Sequence, residues 1–366
     1  MASISERKTF RIALLPGDGI GPEVIEAALS VLKEVASHLL SVNFEYEVFS
    51  VGAAEFLASG DPLPPRVFES LPRFHAVLLG AMGLPGVRWP SGIEMTPQLD
   101  LRERLDLYCG LRPIYLFHPQ DSPLRGLEKG SIDFLLVRES TQGLFASRKT
   151  VPDMSADSVE DRMLITRVGS QRIIHAAFRE AMKRRKHLTL IDKANVLPSM
   201  AYFRRIFDEV AAEYPEVKTE RIYVDAAALY LLQKPHVFDV LVTENMFGDI
   251  LSDLAAGLVG GMGMAPSADL GDHYAVFQPS HGSAPDIAGQ GIANPVATIL
   301  SVAMMLDWLG HAECRKGAAQ IRAGVHAVFT NPTARTRDMG GKLSTFALAE
   351  TISLAIQNHR EAGVGQ

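Results

Sequence analysis

Cysteine is nearly missing from this chain. Cys109 and Cys314 are the only two among 366 residues, too few for a disulfide framework or a Cys-built zinc site. Basic charge is not in excess either. Thirty-six Lys and Arg against 42 Asp and Glu leave a formal net charge of −6, the wrong sign for non-specific nucleic-acid binding. No uninterrupted apolar run approaches the roughly 20 residues that a membrane span needs. Met1 to Phe10 carry charges and lack the apolar stretch of a signal peptide. Internal repeats and low-complexity tracts are also missing. A soluble, cytoplasmic-type protein with small-molecule partners is expected, without membrane or nucleic acid.

What is present suits a globular enzyme-sized chain. The length allows two packed lobes rather than one simple core. Hydrophobic residues at 47% and charged residues at 21% are ordinary for a water-soluble fold. Apolar strands are expected at Phe10 to Leu15, Asn43 to Phe49, Ala76 to Gly80, Asp133 to Glu139, Leu188 to Ile191 and Val237 to Val242. Helical spacing runs from Pro22 to about Leu40, from Gln98 to Tyr108, from Arg172 to Arg185 and from Val296 to Trp308. Strands alternating with helices predict an α/β architecture with a substantial parallel component. Between Ser147 and Arg167 the chain is polar and irregular, as in an exposed arm. The cluster Lys183-Arg184-Arg185-Lys186 ends a helix, where cations complement the dipole.

The first strand leads into Gly17-Asp18-Gly19-Ile20-Gly21-Pro22-Glu23. Its glycines follow G-x-G-x-G, not the G-x-G-x-x-G of a dinucleotide fingerprint. A tight turn explains them equally well.

Chemistry concentrates at strand ends. In Thr243-Glu244-Asn245-Met246-Phe247-Gly248-Asp249-Ile250-Leu251-Ser252-Asp253, the two aspartates lie four residues apart on one helix face. Such a pair repels unless a cation intervenes, and hard oxygen ligands suit Mg2+ or Mn2+. The plainer reading is an acidic helix start facing the macrodipole. Arg102, Arg112 and Arg138 suit a di- or tricarboxylate if they converge, because guanidinium binds carboxylate bidentately; otherwise they are solvated or ion-paired. Lys193 and Asp225 sit just past two further strands, where active sites of such sheets lie. The long turn from His281 to Pro295 is rich in small residues that let a ligand approach backbone, and Asp286 is placed to accept hydrogen bonds from ribose hydroxyls.

Taken together, six stretches resemble the β-decarboxylating dehydrogenases, a family that includes isopropylmalate, isocitrate, homoisocitrate, tartrate and D-malate dehydrogenases. They are Gly17 to Glu23, Leu111-Arg112-Pro113, Val137-Arg138-Glu139, Asp192 to Leu197, Asn245 to Asp253 and His281 to Gly289, all in order. The likeness runs from about Arg11 to Thr345 and is nearest to the isopropylmalate enzymes. It implies a two-lobed, non-Rossmann isopropylmalate/isocitrate dehydrogenase-like fold with a dimer arm. A cofactor-binding lobe would comprise residues 1–107 and 260–366, and residues 108–259 would form the dimerisation and metal/substrate lobe. Active sites would be shared across a homodimer. The resemblance further implies that Arg102, Arg112 and Arg138 grip the substrate carboxylates. Asp249 and Asp253, with Asp225 of the partner subunit, would hold Mg2+ or Mn2+, and Lys193 of the partner subunit would handle the hydroxyl proton. NAD would lie along Ile20, Gly263, His281, Gly282, Ser283, Ala284, Asp286, Ile287 and Asn294. An acid at Asp286 repels the 2′-phosphate of NADP, so NAD is expected. The implied reaction is oxidation of a 2-hydroxy dicarboxylate, 3-isopropylmalate first among them, followed by decarboxylation and protonation of carbon.

Three positions depart from the family pattern. Phe145 stands where relatives carry the tyrosine that donates the final proton. Gln98 replaces a leucine that meets the isopropyl group, which favours a smaller or more polar substituent. Gln278 replaces a common glutamate. These departures keep open a D-malate or tartrate-type activity, and a non-catalytic ligand-binding homologue.

Overall fold

The computed structural model describes residues 7–364. The expectation of no signal peptide concerns a stretch whose first six residues, Met1 to Glu6, lie outside the described residues. In chain order the elements begin with β1 (Lys8–Gly17), α1 (Gly21–Ala36), β2 (Val42–Val48), α2 (Ala53–Ser59), α3 (Pro65–Phe68) and β3 (Ala76–Ala81). Then come α4 (Pro97–Arg104), β4 (Cys109–Tyr115), β5 (Asp133–Glu139), α5 (Arg167–Met182), β6 (His187–Asp192) and α6 (Pro198–Ala211). Next are β7 (Lys218–Tyr223), α7 (Val224–Gln233), β8 (Val240–Thr243), α8 (Asn245–Gly257), β9 (Pro266–Leu270) and β10 (Ala275–Pro279). The chain closes with α9 (Val296–Trp308), α10 (Ala312–Phe329) and α11 (Thr345–Val364).

Contacts divide the chain into two units, one of residues 1–100, 260–268 and 273–366, the other of residues 101–259 and 269–272. In the first, parallel strands run in the order β2-β1-β3-β10. Every residue of β3 is buried, as expected of a parallel strand covered on both faces. Pro22 starts α1 with φ already fixed and no N–H to satisfy, and the helix packs Val24, Ala28, Val31 and Val35 inward. It ends at Ala36, short of the expected Leu40, which is exposed. The Asp18 carboxylate accepts from the backbone N–H of Ala53 and Gly83, each at 2.7 Å, and of Ala54 at 2.9 Å. Gly17-Asp18-Gly19 is therefore a turn whose acid fastens two neighbouring loops.

The second unit has the strand order β4-β5-β8-β6-β7, with β4 antiparallel to β5 and the other pairs parallel. One apolar layer packs α5 and α6 through Ile173, Phe178, Phe203 and Phe207. The opposite layer packs α7 and α8 through Leu231, Leu251 and Ala255. Two expected elements are shorter than the pattern suggests. The helix from Gln98 stops at Arg104 because Asp106 takes a positive φ of 50°. The strand expected from Val237 begins at Val240, since Pro235–Val237 is a 3-10 turn. No described helix is long and apolar enough to cross a membrane.

Candidate active site

The second unit gathers the three arginines. Arg102 ends α4, Arg112 lies in β4, Arg138 lies in β5, and all three side chains are buried. Arg138 Nε and Nη2 donate to Asn245 Oδ1 at 2.9 and 2.7 Å, and Nη1 donates to Asp249 Oδ1. The Arg138 stem lies across α8 at Gly248, where a Cβ would come within 2.7 Å of Arg138 Cγ. Any side chain at position 248 would push the guanidinium off its partners. Burial and the neighbouring charge of Arg102 pull the pKa of Arg138 down to about 10. Burial likewise lowers that of Arg112, where Arg102 adds repulsion and Asp269 opposes it.

Asp249 and Asp253 project from successive turns of α8 beside this cluster. Glu244, not either aspartate, caps the helix by accepting from Phe247 N at 2.6 Å. Asp249 is the fifth residue of α8, so the acidic-helix-start reading does not account for it. Burial raises the Asp253 carboxyl pKa, and the charge of Asp249 raises it further. A like-charged carboxylate pair of this kind is relieved by a hard cation. The donor set, all oxygen, fits Mg2+ or Mn2+. Among the described residues, no group of three His, Cys, Asp or Glu gathers within the single chain to hold a metal.

Asp225 is elsewhere in the same unit, in the first turn of α7. Lys193 Nζ donates to its Oδ1 at 2.7 Å, and that hydrogen bond holds the Asp225 carboxyl below the usual range. Exposed apolar side chains in this unit include Leu229 and Leu232 of α7, Ile250 of α8, and Val196. Val151, Met154 and Val159 are exposed on the irregular 147–167 stretch. Phe145 sits under Arg138, ring centroid 5.3 Å from the guanidinium carbon. Gln98, one turn before Arg102 on α4, has a buried Oε1 with no hydrogen-bond partner. Gln278 is buried on β10.

The first unit contains a cavity of about 370 Å³ lined by Ile20, Gly263, His281, Ile287, Ile292, Ala293, Asn294, Arg337 and Asp338. Five of these were expected. Gly282, Ser283 and Ala284 belong to the same turn, with Ser283 O accepting from Ile20 N at 2.8 Å. Ala284 takes a positive φ of 36°, and exposed Asp286 stands outside the lining. A Cβ on Gly263 would lie 2.7 Å from that of Asn294 and 2.8 Å from Asp338 Oδ2. His281 Nε2 is buried without a partner, and burial lowers the imidazole pKa. A neutral ring nitrogen awaiting a hydrogen bond fits a bound dinucleotide.

Sequence reasoning missed Asn245, Asp269, Arg337 and Asp338. Asp269, on β9, accepts from Arg102 Nε at 3.0 Å and from Arg112 Nη2 at 3.5 Å. Asp338 Oδ2 accepts from Asn294 Nδ2 at 3.2 Å.

Residues 11–353 match the family model described as isocitrate/isopropylmalate dehydrogenase. A 3-isopropylmalate dehydrogenase of Moorella thermoacetica is 44% identical over 327 residues, covering 87% of this chain and 90% of that protein. One from Bacillus subtilis is 42% identical over 361 residues, 95% of this chain and 97% of the relative. Among solved structures, isocitrate dehydrogenase from Methylococcus capsulatus superposes with a TM-score of 0.85 at 35% identity, covering 95% of this chain and 99% of that one. A β-decarboxylating dehydrogenase from Thermococcus kodakarensis gives 0.80 at 38%, covering 96% and 97%. The α/β fold expected from the six stretches is the fold found.

Proposed function

Because this chain belongs to the isocitrate/isopropylmalate dehydrogenase family, we propose that it oxidises a 2-hydroxy dicarboxylate with NAD and a divalent ion, with decarboxylation following. The best-fitting substrate is 3-isopropylmalate, the one named for the relatives above. The observation that carries this reading is a cluster of three buried arginines in which Arg138 pairs with Asp249, and Arg112 and Arg138 both act on the charge of Asp253. Bound Mg2+ or Mn2+ supplies polarisation of the substrate hydroxyl, and bound NAD supplies a hydride acceptor.

The protein's own groups do the rest. Arg102, Arg112 and Arg138 hold the substrate carboxylates, with Arg138 oriented by Asn245. Asp249 and Asp253 would hold the ion, with the partner subunit's Asp225 as the third acid. The partner subunit's Lys193 would take part in removing the hydroxyl proton, accepting it as the neutral amine, with the Asp225 beside it orienting the side chain. The exposed apolar side chains of α7, α8 and the 147–167 arm support a homodimer. Residues 108–259 serve as the dimerisation and metal/substrate lobe, and residues 1–107 with 260–366 as the cofactor lobe. There, Ile20, Gly263, the 281–287 turn and Asn294 carry the dinucleotide. The enzyme works in the cytoplasm.

Gln98 favours a malate with a small or polar C3 group as the next candidate, and Phe145 favours a ligand binder that does not turn over. A panel of 2-hydroxy dicarboxylates with Mn2+, following NADH and CO2 separately, decides among them. NADH with CO2 supports the proposal. NADH alone means oxidation without decarboxylation. No product with any acid, from folded protein, leaves the binder.

A further inference from the structure

We propose that Asp269 is a built-in counter-ion that sets the substrate's charge, so that the site accepts a dianionic 2-hydroxy acid and turns away a tricarboxylate. This rests on the arginine trio being the substrate site. Asp269 lies in β9 with its side chain only 1% exposed, its two oxygens divided between Arg102 and Arg112. It meets the pair as a ligand carboxylate would, one oxygen to each guanidinium. Arg102 gives only its Nε to this contact, and among the described residues neither Nη group has a protein partner. Its two NH2 groups thus remain for one substrate carboxylate, while the place beyond Nε is filled from within the chain. Burial alone would raise the Asp269 carboxyl, but the charges of Arg102, Arg112 and Arg138 outweigh it and hold the group ionised.

The charge balance points the same way. The three arginines are matched by Asp249, Asp253 and Asp269, and Lys193 is matched by Asp225. A divalent ion then leaves two positive charges, which a dianion neutralises. A trianion leaves a net negative charge beside three buried arginines and a buried Asp269, whose interactions are poorly screened. Without Asp269 the arginines would carry one unmatched charge and a vacated pairing position, both favouring a third carboxylate.

The test compares 3-isopropylmalate with isocitrate, by calorimetry in the presence of Mn2+ and by kcat/KM. The proteins are wild type, Asp269→Asn and Asp269→Ser. The wild type should bind the dicarboxylate at least about tenfold tighter, and each variant should shift that ratio about tenfold or more toward the tricarboxylate. Equal binding by the wild type overturns the inference, as does an unchanged ratio in a folded variant. Should neither variant fold, the wild-type comparison decides alone. If the wild type turns over neither acid yet the binding ratio shifts, the counter-ion stands and the dehydrogenase reading falls. If it oxidises the dicarboxylate and the ratio does not move, the reverse holds.

Discussion

Lys193 and Asp225 close a 2.7 Å ion pair at the ends of neighbouring parallel strands β6 and β7, within the same unit as the Asp249/Asp253 pair but not part of its cluster. If the proposed reaction uses both residues at the hydroxyl, their separation from the Asp249/Asp253 pair calls for a site shared between two subunits. Lys193→Met and Arg138→Gln should each be inactive as pure dimers. Mixed and allowed to exchange subunits, they should recover about a quarter of wild-type activity, since half the dimers are then mixed and each keeps one intact site of two. Sedimentation would confirm the dimer. No recovery despite proven exchange would place Lys193 and Arg138 in one chain's site.

Phe145 stacks beneath Arg138 but has no proton to donate. Thr141, a nearby hydroxyl, already donates to Glu139 Oε1 at 2.6 Å and accepts from Arg172 Nη2 at 3.0 Å. Phe145→Tyr keeps the ring and its cation-π contact and adds a donor, so decarboxylating turnover should rise. Flat or lower turnover would mean that water, Thr141 or Lys193 already serves.

Asp286 lies exposed at the rim of the 281–295 turn. Its charge repels a 2′-phosphate, so NAD should be preferred over NADP. Asp286→Lys with Ile287→Tyr should move kcat/KM toward NADP by about 1.5–3 kcal/mol, or roughly ten- to 150-fold, through one charge-assisted hydrogen bond. Steady-state rates with both dinucleotides measure it. An unchanged ratio would remove Asp286 from the cofactor site.

Asp269 also ties stability to pH. Its folded pKa is depressed by the arginines despite burial, so its stabilisation is fully present above the unfolded value of about 3.9. That stabilisation is lost as pH falls through the folded value. Asp269→Asn should cost about 3–5 kcal/mol at pH 7, because it leaves buried guanidinium charge unmatched. The gap should narrow well below pH 4. Urea midpoints at pH 7 and pH 3 test it, and a gap equal at both would deny that charge is the cause.

The parts legible in the sequence share a property: each belongs to a stretch whose pattern is local. Arg138 lies near the end of an apolar strand, Asp249 and Asp253 lie on successive turns of one helix face, and Lys193 follows β6. Asp269 was not legible because its partner Arg102 is 167 residues away and nothing in Pro266 to Leu270 marks an acid that faces inward. Arg337 and Asp338 lie beyond the last recognised stretch, joined to Asn294 only through folding. The Lys183 to Lys186 cluster follows the C-terminus of α5, where its charge complements the dipole. There Arg184 also pairs with Asp133 and Asp239 at 2.7 and 2.8 Å, and Lys186 pairs with Glu216. Charges select partners in three dimensions, which spacing along the chain does not record.

The proposed oxidation requires α8 to present Asp249 and Asp253 to a divalent ion that serves the hydroxyl being oxidised. The direct measurement is NADH formation from 3-isopropylmalate and NAD, with Mn2+ and then with excess EDTA, in wild type and Asp249→Asn. The expected result is turnover that vanishes with EDTA, returns with Mn2+ and is lost in the variant. Turnover that persists in EDTA, or in Asp249→Asn, would contradict it.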